Sequence, residues 1–149
     1  MIMIRNTQQK ISLDVEKLKA DAQTILTALN YADYDLGIWL TTNTMIRRYN
    51  RDYRHKDKAT DILSFPYHPE LKVGEKIKVH IDEDKNLGDL IISLEYVQKD
   101  SPRWHQSFEH RIKVLLVHGI CHLLGYNHIE DQDYKIMKRK ESALLKKLM

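Results

Sequence analysis

A chain of 149 residues, 42% hydrophobic and 30% charged with only five Gly and three Pro, has the makeup of one soluble domain, which excludes a disordered tail and a fibrous repeat. A domain of this length buries enough surface to fold without a disulfide or a structural metal, so any metal it holds is expected to serve chemistry. Its 24 Lys plus Arg against 21 Asp plus Glu leave a net charge of +3, too small to mark a polyanion binder by itself.

The charge is unevenly placed. Arg47 to Lys58 holds six basic residues against two acidic ones, and Lys135 to Lys147 six against one, so the remainder is net acidic. Cys121 is the only cysteine; it excludes an intramolecular disulfide and favours an intracellular setting. The opening Met1 to Arg5 is too short for a secretory apolar region, and no stretch approaches the ~20 apolar residues of a membrane helix, so no membrane partner is expected.

In chain order, Ile2 to Arg5 predicts a short strand. Leu18, Ala22, Ile25 and Leu29 follow at steps of four, three and four, the mark of one helical face, with Ser12 as its N-cap and Asp14 and Glu16 complementing its dipole. Asp35 to Thr42 predicts a strand; Met45, Ile46, Tyr49 and Tyr53 then describe a basic helix with arginines on its other side. Thr60 to Phe65 predicts a strand stopped by Pro66, and Leu87 to Ser93 another, buried on both faces at Leu90-Ile91-Ile92. Pro69 to Lys85 between them is a long polar loop with room for a small hairpin. After Pro102 the pattern is helical to Leu124, stops at Gly125 and resumes as a helix from about Gln132. Three or four strands mixed with four or five helices make a single α+β domain over residues 1–149, a small mixed sheet covered by helices.

Three of the eight histidines fall within His118-Gly119-Ile120-Cys121-His122-Leu123-Leu124-Gly125-Tyr126-Asn127-His128. At ~100° per residue, His118 and His122 differ by ~40° and one turn of rise, so both imidazoles can address a common ion. Gly125 can take the left-handed conformation that ends the helix, which lets His128 approach from another direction. Three imidazoles without a fourth protein ligand form the pattern of a catalytic zinc site, one Zn2+ per chain with a position open for water. The spacing matches H-E-x-x-H-x-x-G-x-x-H of the metzincin peptidases, except that Gly119 stands where their general-base Glu belongs, which counts against peptide hydrolysis. Cys121, on the other side of His118 and flanked by Val114, Val117 and Leu124, reads as core rather than as a ligand.

Asn50 to Asp57 places arginines and tyrosines just before the Thr60 strand. An Arg there can clamp a phosphate and a Tyr can stack on an unpaired base, although a solvated helix face with its tyrosines in the core explains the composition equally simply. The C-terminal Lys/Arg run reads as the polar side of an amphipathic helix closed by Leu144, Leu145 and Leu148.

Asn50-x-x-Tyr53-Arg54-x-x-Asp57-x-x-Thr60-Asp61-Ile62-Leu63-Ser64-Phe65-Pro66, then Leu87-Gly88-Asp89-Leu90, then His118-Gly119-x-x-His122-Leu123-x-Gly125-Tyr126-x-His128, in that order, resemble the YbeY-type endoribonucleases, also called rRNA maturation factors, over nearly the whole chain. Ala59, where that family usually has Pro, and Asn127, often Asp, depart from its pattern without touching a ligand. The resemblance implies a metal-dependent, single-strand-specific endoribonuclease acting in maturation of small-subunit rRNA and in ribosome quality control. It implies zinc on His118, His122 and His128, and a functional arginine at Arg54. Its partners are then single-stranded RNA and the small ribosomal subunit, with no DNA expected. A cytoplasmic location follows, with an organellar matrix as the alternative because Tyr67 to Gly74 resembles eukaryotic members. Two rivals remain: a zinc peptidase or small-molecule hydrolase, and a ribosome-assembly binding protein with a structural metal.

Overall fold

The computed structural model describes residues 1–149, and its elements follow the order β1 (Ile2–Asn6), α1 (Val15–Ala28), β2 (Asp35–Thr41), α2 (Asn43–Arg54), β3 (Ile62–Pro66), β4 (Asn86–Ser93), α3 (Leu94–Asp100), α4 (Phe108–Leu123) and α5 (Asp131–Lys146). The strands form one mixed sheet in the order β1-β2-β4-β3. β1, β2 and β4 are parallel, which requires the crossovers that α1 and the segment from α2 through β3 supply, while β3 runs antiparallel to β4 at an edge. That edge tolerates Pro66, whose missing N–H leaves no ladder bond unmade inside the sheet. The expected α+β class with a small mixed sheet is therefore observed.

Because strand side chains alternate, the sheet has two faces of unequal cover. Ile4, Ile38, Leu90 and Ser64 pair across all four strands on one face. Over it pack Ala22 and Ile25 of α1, Leu116 and Ile120 of α4, and Met137 and Leu144 of α5, in a core of 27 buried residues. At about 1.5–3 kcal/mol per fully buried Leu or Ile, this layer carries most of the stability. The opposite face is covered only by α2, where Ile46 meets Leu63 and Ile91 in a cluster of three.

Local chemistry explains where the sequence reading needs correction. α1 is capped by Asp14, whose carboxylate accepts from the Lys17 amide at 3.0 Å, and not by Ser12. The helix expected from Pro102 begins only at Phe108, capped by the Ser107 hydroxyl. Before it come α3, capped by Ser93 and unforeseen, and a 3-10 turn at Ser101–Trp104 ended by His105 in the left-handed region at φ 56°. The Pro69 to Lys85 loop holds a 3-10 turn at Asp82–Asp84 and no hairpin.

Cys121 is fully buried in the main core, as expected, and burial pushes its thiol up to about 12 by denying the thiolate its hydration. Roughly a thousandth of the usual thiolate then remains near neutral pH. An aromatic disulfide reagent near neutral pH is expected to label Cys121 at least about 100-fold more slowly in the folded protein than in urea; rapid native labelling would place the thiol outside the core.

Candidate metal centre

α4 puts His118 and His122 one turn apart near its C-terminal end. Gly125 follows with φ +92°, and a Cβ at that position would run into the Leu71 carbonyl, so both conformation and space demand glycine there. The reversal returns His128 to the helix end. One ring nitrogen from each of the three histidines lies within 4.8 Å of the others, and the ring centroids stand 4.5, 5.2 and 5.7 Å apart. The histidines read as a trio from their spacing are brought together.

Proton accounting tests whether a cation fits. His122 Nδ1 lies 2.9 Å from the Tyr126 carbonyl, which can only accept, so Nδ1 carries the hydrogen. His118 Nδ1 lies 2.8 Å from the Glu141 carboxylate and donates likewise. With both rings neutral, each Nε2 presents a lone pair, and the two face each other at 3.0 Å. Two such lone pairs repel unless an electrophile lies between them, and imidazoles bound at roughly 2.05 Å to a tetrahedral ion sit about 3.3 Å apart. Burial, reinforced by His118 and His128, lowers His122 to about 4, so this ring stays neutral and ready to ligate at neutral pH. The donor set fits a divalent ion.

A cleft of about 470 Å³ opens in front of the histidines, and Arg54, Thr60, Asp61 and Ser64 share its walls. Arg54 reaches it from the last turn of α2, where its Nη1 donates to Asn50 Oδ1 at 3.4 Å. Asn50 is itself buried and donates to the Lys58 carbonyl at 2.9 Å, which anchors the acceptor. The neighbouring Arg47 and Arg51 are paired with Asp57 and Asp52, whereas Arg54 has no carboxylate partner and offers its charge to the cleft.

Two side chains were given no role by the sequence reading. Glu141 stands behind His118; the signal was a carboxylate between Met137 and Leu144 on the otherwise apolar stripe of α5. Asp61 accepts from the Ile62 amide at 2.7 Å and from the Arg111 guanidinium at 3.3 Å, while Arg111 packs 4.2 Å over the Trp104 ring. Asp61 therefore ties α4 to β3. Replacing Glu141 by Gln keeps the shape but weakens the acceptor that orients His118, and metal affinity is expected to fall about 10- to 100-fold in a chelator competition titration. An unchanged affinity would show that the carboxylate does not tune the ring.

Position 119 also has a tertiary explanation. A Cβ on Gly119 would approach Ile62 and Leu90 at 2.8 Å, so this side of α4 lies on the sheet and cannot carry the peptidase glutamate into the cleft.

A mixed four-stranded sheet covered by helices, with three clustered histidines at the end of α4 facing an arginine of α2 that has no carboxylate partner, defines a small α+β domain with a candidate metal centre. Residues 3–149 match the family model described as Endoribonuclease YbeY. The chain is 34% identical over 147 residues to the human Endoribonuclease YbeY, covering 99% of this chain and 87% of the human one. It is 40% identical over 133 residues to the Fusobacterium nucleatum protein of the same name, covering 89% and 72%. The solution structure of TM1509 from Thermotoga maritima superposes with a TM-score of 0.66 at 25% identity over 99% of this chain and 89% of that one. The chain belongs to the YbeY endoribonuclease family.

Proposed function

We propose that this protein is a zinc-dependent endoribonuclease specific for single-stranded RNA, acting in maturation of small-subunit rRNA and in ribosome quality control. In this reading His118, His122 and His128 hold one Zn2+ per chain and Arg54 is the catalytic residue that binds the scissile phosphate. The observation that carries it is the meeting, in one cleft, of three imidazoles, two with Nε2 atoms 3.0 Å apart, and a guanidinium with no carboxylate partner.

When bound, the ion supplies Lewis-acid polarisation and a lowered water pKa. Glu141 and the Tyr126 carbonyl hold the protons of His118 and His122 on Nδ1, which keeps both Nε2 atoms aimed inward. Arg54 presents a planar fork of N–H donors to a phosphodiester, and its charge opposes the negative charge that gathers on the phosphoryl oxygens as the P–O bond breaks. Asp61 accepts from Arg111 and from the Ile62 amide, which holds its carboxylate at the wall of the cleft.

Metal analysis of the purified protein together with a single-stranded RNA cleavage assay, run beside casein digestion, tests the reading. Stoichiometric zinc with RNA cut and casein intact is expected, and cleavage untouched by a chelator would overturn the metal's role. The basic helix α2 beside the cleft further predicts RNA affinity that falls at least about tenfold between 50 and 200 mM salt if three or more phosphates are contacted. A flat salt profile would remove these charges from the docking surface. In this reading the protein works in the cytoplasm, with an organellar matrix as the alternative because Tyr67 to Gly74 resembles eukaryotic members. No helix of the protein is long and apolar enough to cross a membrane.

A further inference from the structure

The face of the sheet turned away from the histidines holds a groove of about 510 Å³, within the range occupied by small planar ligands. Its walls are aromatic. Trp39 of β2 meets Tyr49 of α2 edge to face at 5.4 Å, Tyr49 stacks on Tyr53 at 5.8 Å and 13°, and Tyr53 meets Phe65 of β3 at 5.4 Å. Tyr53 is 64% exposed, so the tyrosines are not simply core, and Arg5 of β1 lies 4.7 Å over the Trp39 ring with no carboxylate partner. Rings left half open on a bare sheet face, beside a free guanidinium, are the means by which folded domains hold unpaired bases.

The groove and the metal cleft lie on opposite sides of the edge strand β3 and share no lining residue, but they adjoin through two pairs of neighbours. Tyr53 lines the groove and Arg54 the cleft; Phe65 lines the groove and Ser64 the cleft. The end of α2 and the edge strand β3 thus separate two half-sites that one extended strand can serve, with Arg54 at the crossing. Charge selects the occupant. Asp89 lies across Gly37 at the groove floor, with no cation paired to it, and repels a phosphate there while accepting hydrogens from the edge of a base. Arg5, the one basic residue lining the groove, lies over Trp39 and can meet a sugar-phosphate backbone there. An apolar protein segment would leave the Asp89 carboxylate buried without a partner, which disfavours it.

We propose, resting on the nuclease reading above, that this face is a base-stacking subsite for unpaired nucleotides flanking the phosphate held in the metal cleft. The test uses the 149-residue chain carrying Trp104→Phe, so that of its two tryptophans only Trp39 reports. A single-stranded RNA of about eight nucleotides, within the site sizes of single-strand-binding domains, is expected to quench Trp39 fluorescence. Tyr53→Ala is expected to raise KM for that RNA about tenfold or more while kcat holds, Tyr53→Phe to behave as the unaltered protein, and the KM defect to shrink with a trinucleotide too short to reach both faces. If the longer RNA is cut with unchanged KM by Tyr53→Ala and leaves Trp39 unquenched, the subsite is overturned with the nuclease reading intact. If the unaltered protein neither binds nor cuts RNA, the nuclease reading fails and the subsite falls with it.

Discussion

His122→Ala is expected to lose both bound metal and RNA cleavage. His122 is the pivot of the trio: it is the histidine closest to the end of α4, its Nε2 faces His118 at 3.0 Å, and its Nδ1 is fixed by the Tyr126 carbonyl of the turn that brings His128 back. Truncation removes one nitrogen of three and also the hydrogen bond that shapes the return loop. Cleavage should fall by at least about 10³, equivalent to roughly 4 kcal/mol of transition-state stabilisation, in keeping with what a Lewis acid contributes. Elemental analysis reads the metal and a labelled single-stranded RNA reads the activity; a thermal melt in chelator, where neither protein carries metal, shows whether the fold survives. Normal turnover by a folded, metal-free variant would remove the metal from the reaction altogether. The same variant separates the enzyme from the assembly-factor rival. An enzyme without its metal should still associate with ribosomal particles while unprocessed RNA accumulates, whereas a binding protein organised by the metal should dissociate.

Arg54→Ala should behave differently, losing about 10²–10³ in kcat while metal content stays at one per chain. The guanidinium lies on another element, tethered to Asn50 and not to a histidine, so its loss leaves the imidazoles as they are. With no carboxylate beside it, its charge in the free protein is spent on no internal partner and is available where phosphoryl oxygens gain charge. Arg54→Lys should recover part of the loss, because an ammonium keeps the charge but not the two-pronged geometry. Single-turnover kinetics at saturating RNA isolates kcat. A variant with raised KM and unaltered kcat would make Arg54 a docking residue rather than a catalytic one.

How much of this could be read from the residues depends on how local the cause is. The His118–His122 pair, the stop at Gly125 and the return of His128 are helix geometry and backbone sterics, decided within eleven consecutive residues. The parallel strands β2 and β4 announced themselves through β-branched and aromatic runs, and the burial of Leu90-Ile91-Ile92 on both faces follows from their central place. The boundaries that moved were those with competing caps: Ser12 and Asp14 are both acceptable N-caps, and the short α3 carries too few turns for a periodic signal.

Sequence by itself therefore determined the class of fold, the trio of imidazoles and, through ordered motifs, the family. Only the tertiary structure decided that Arg54 stands unpaired before those imidazoles, that Glu141 on α5 backs His118, that Gly119 is glycine because α4 presses on Ile62 and Leu90, and that α2 leaves half of one sheet face open. The physical reason is that periodicity and caps report which way a side chain points from its own element. What it points at is set by how separate elements bury their apolar faces together, a property of the whole core that no window of residues contains.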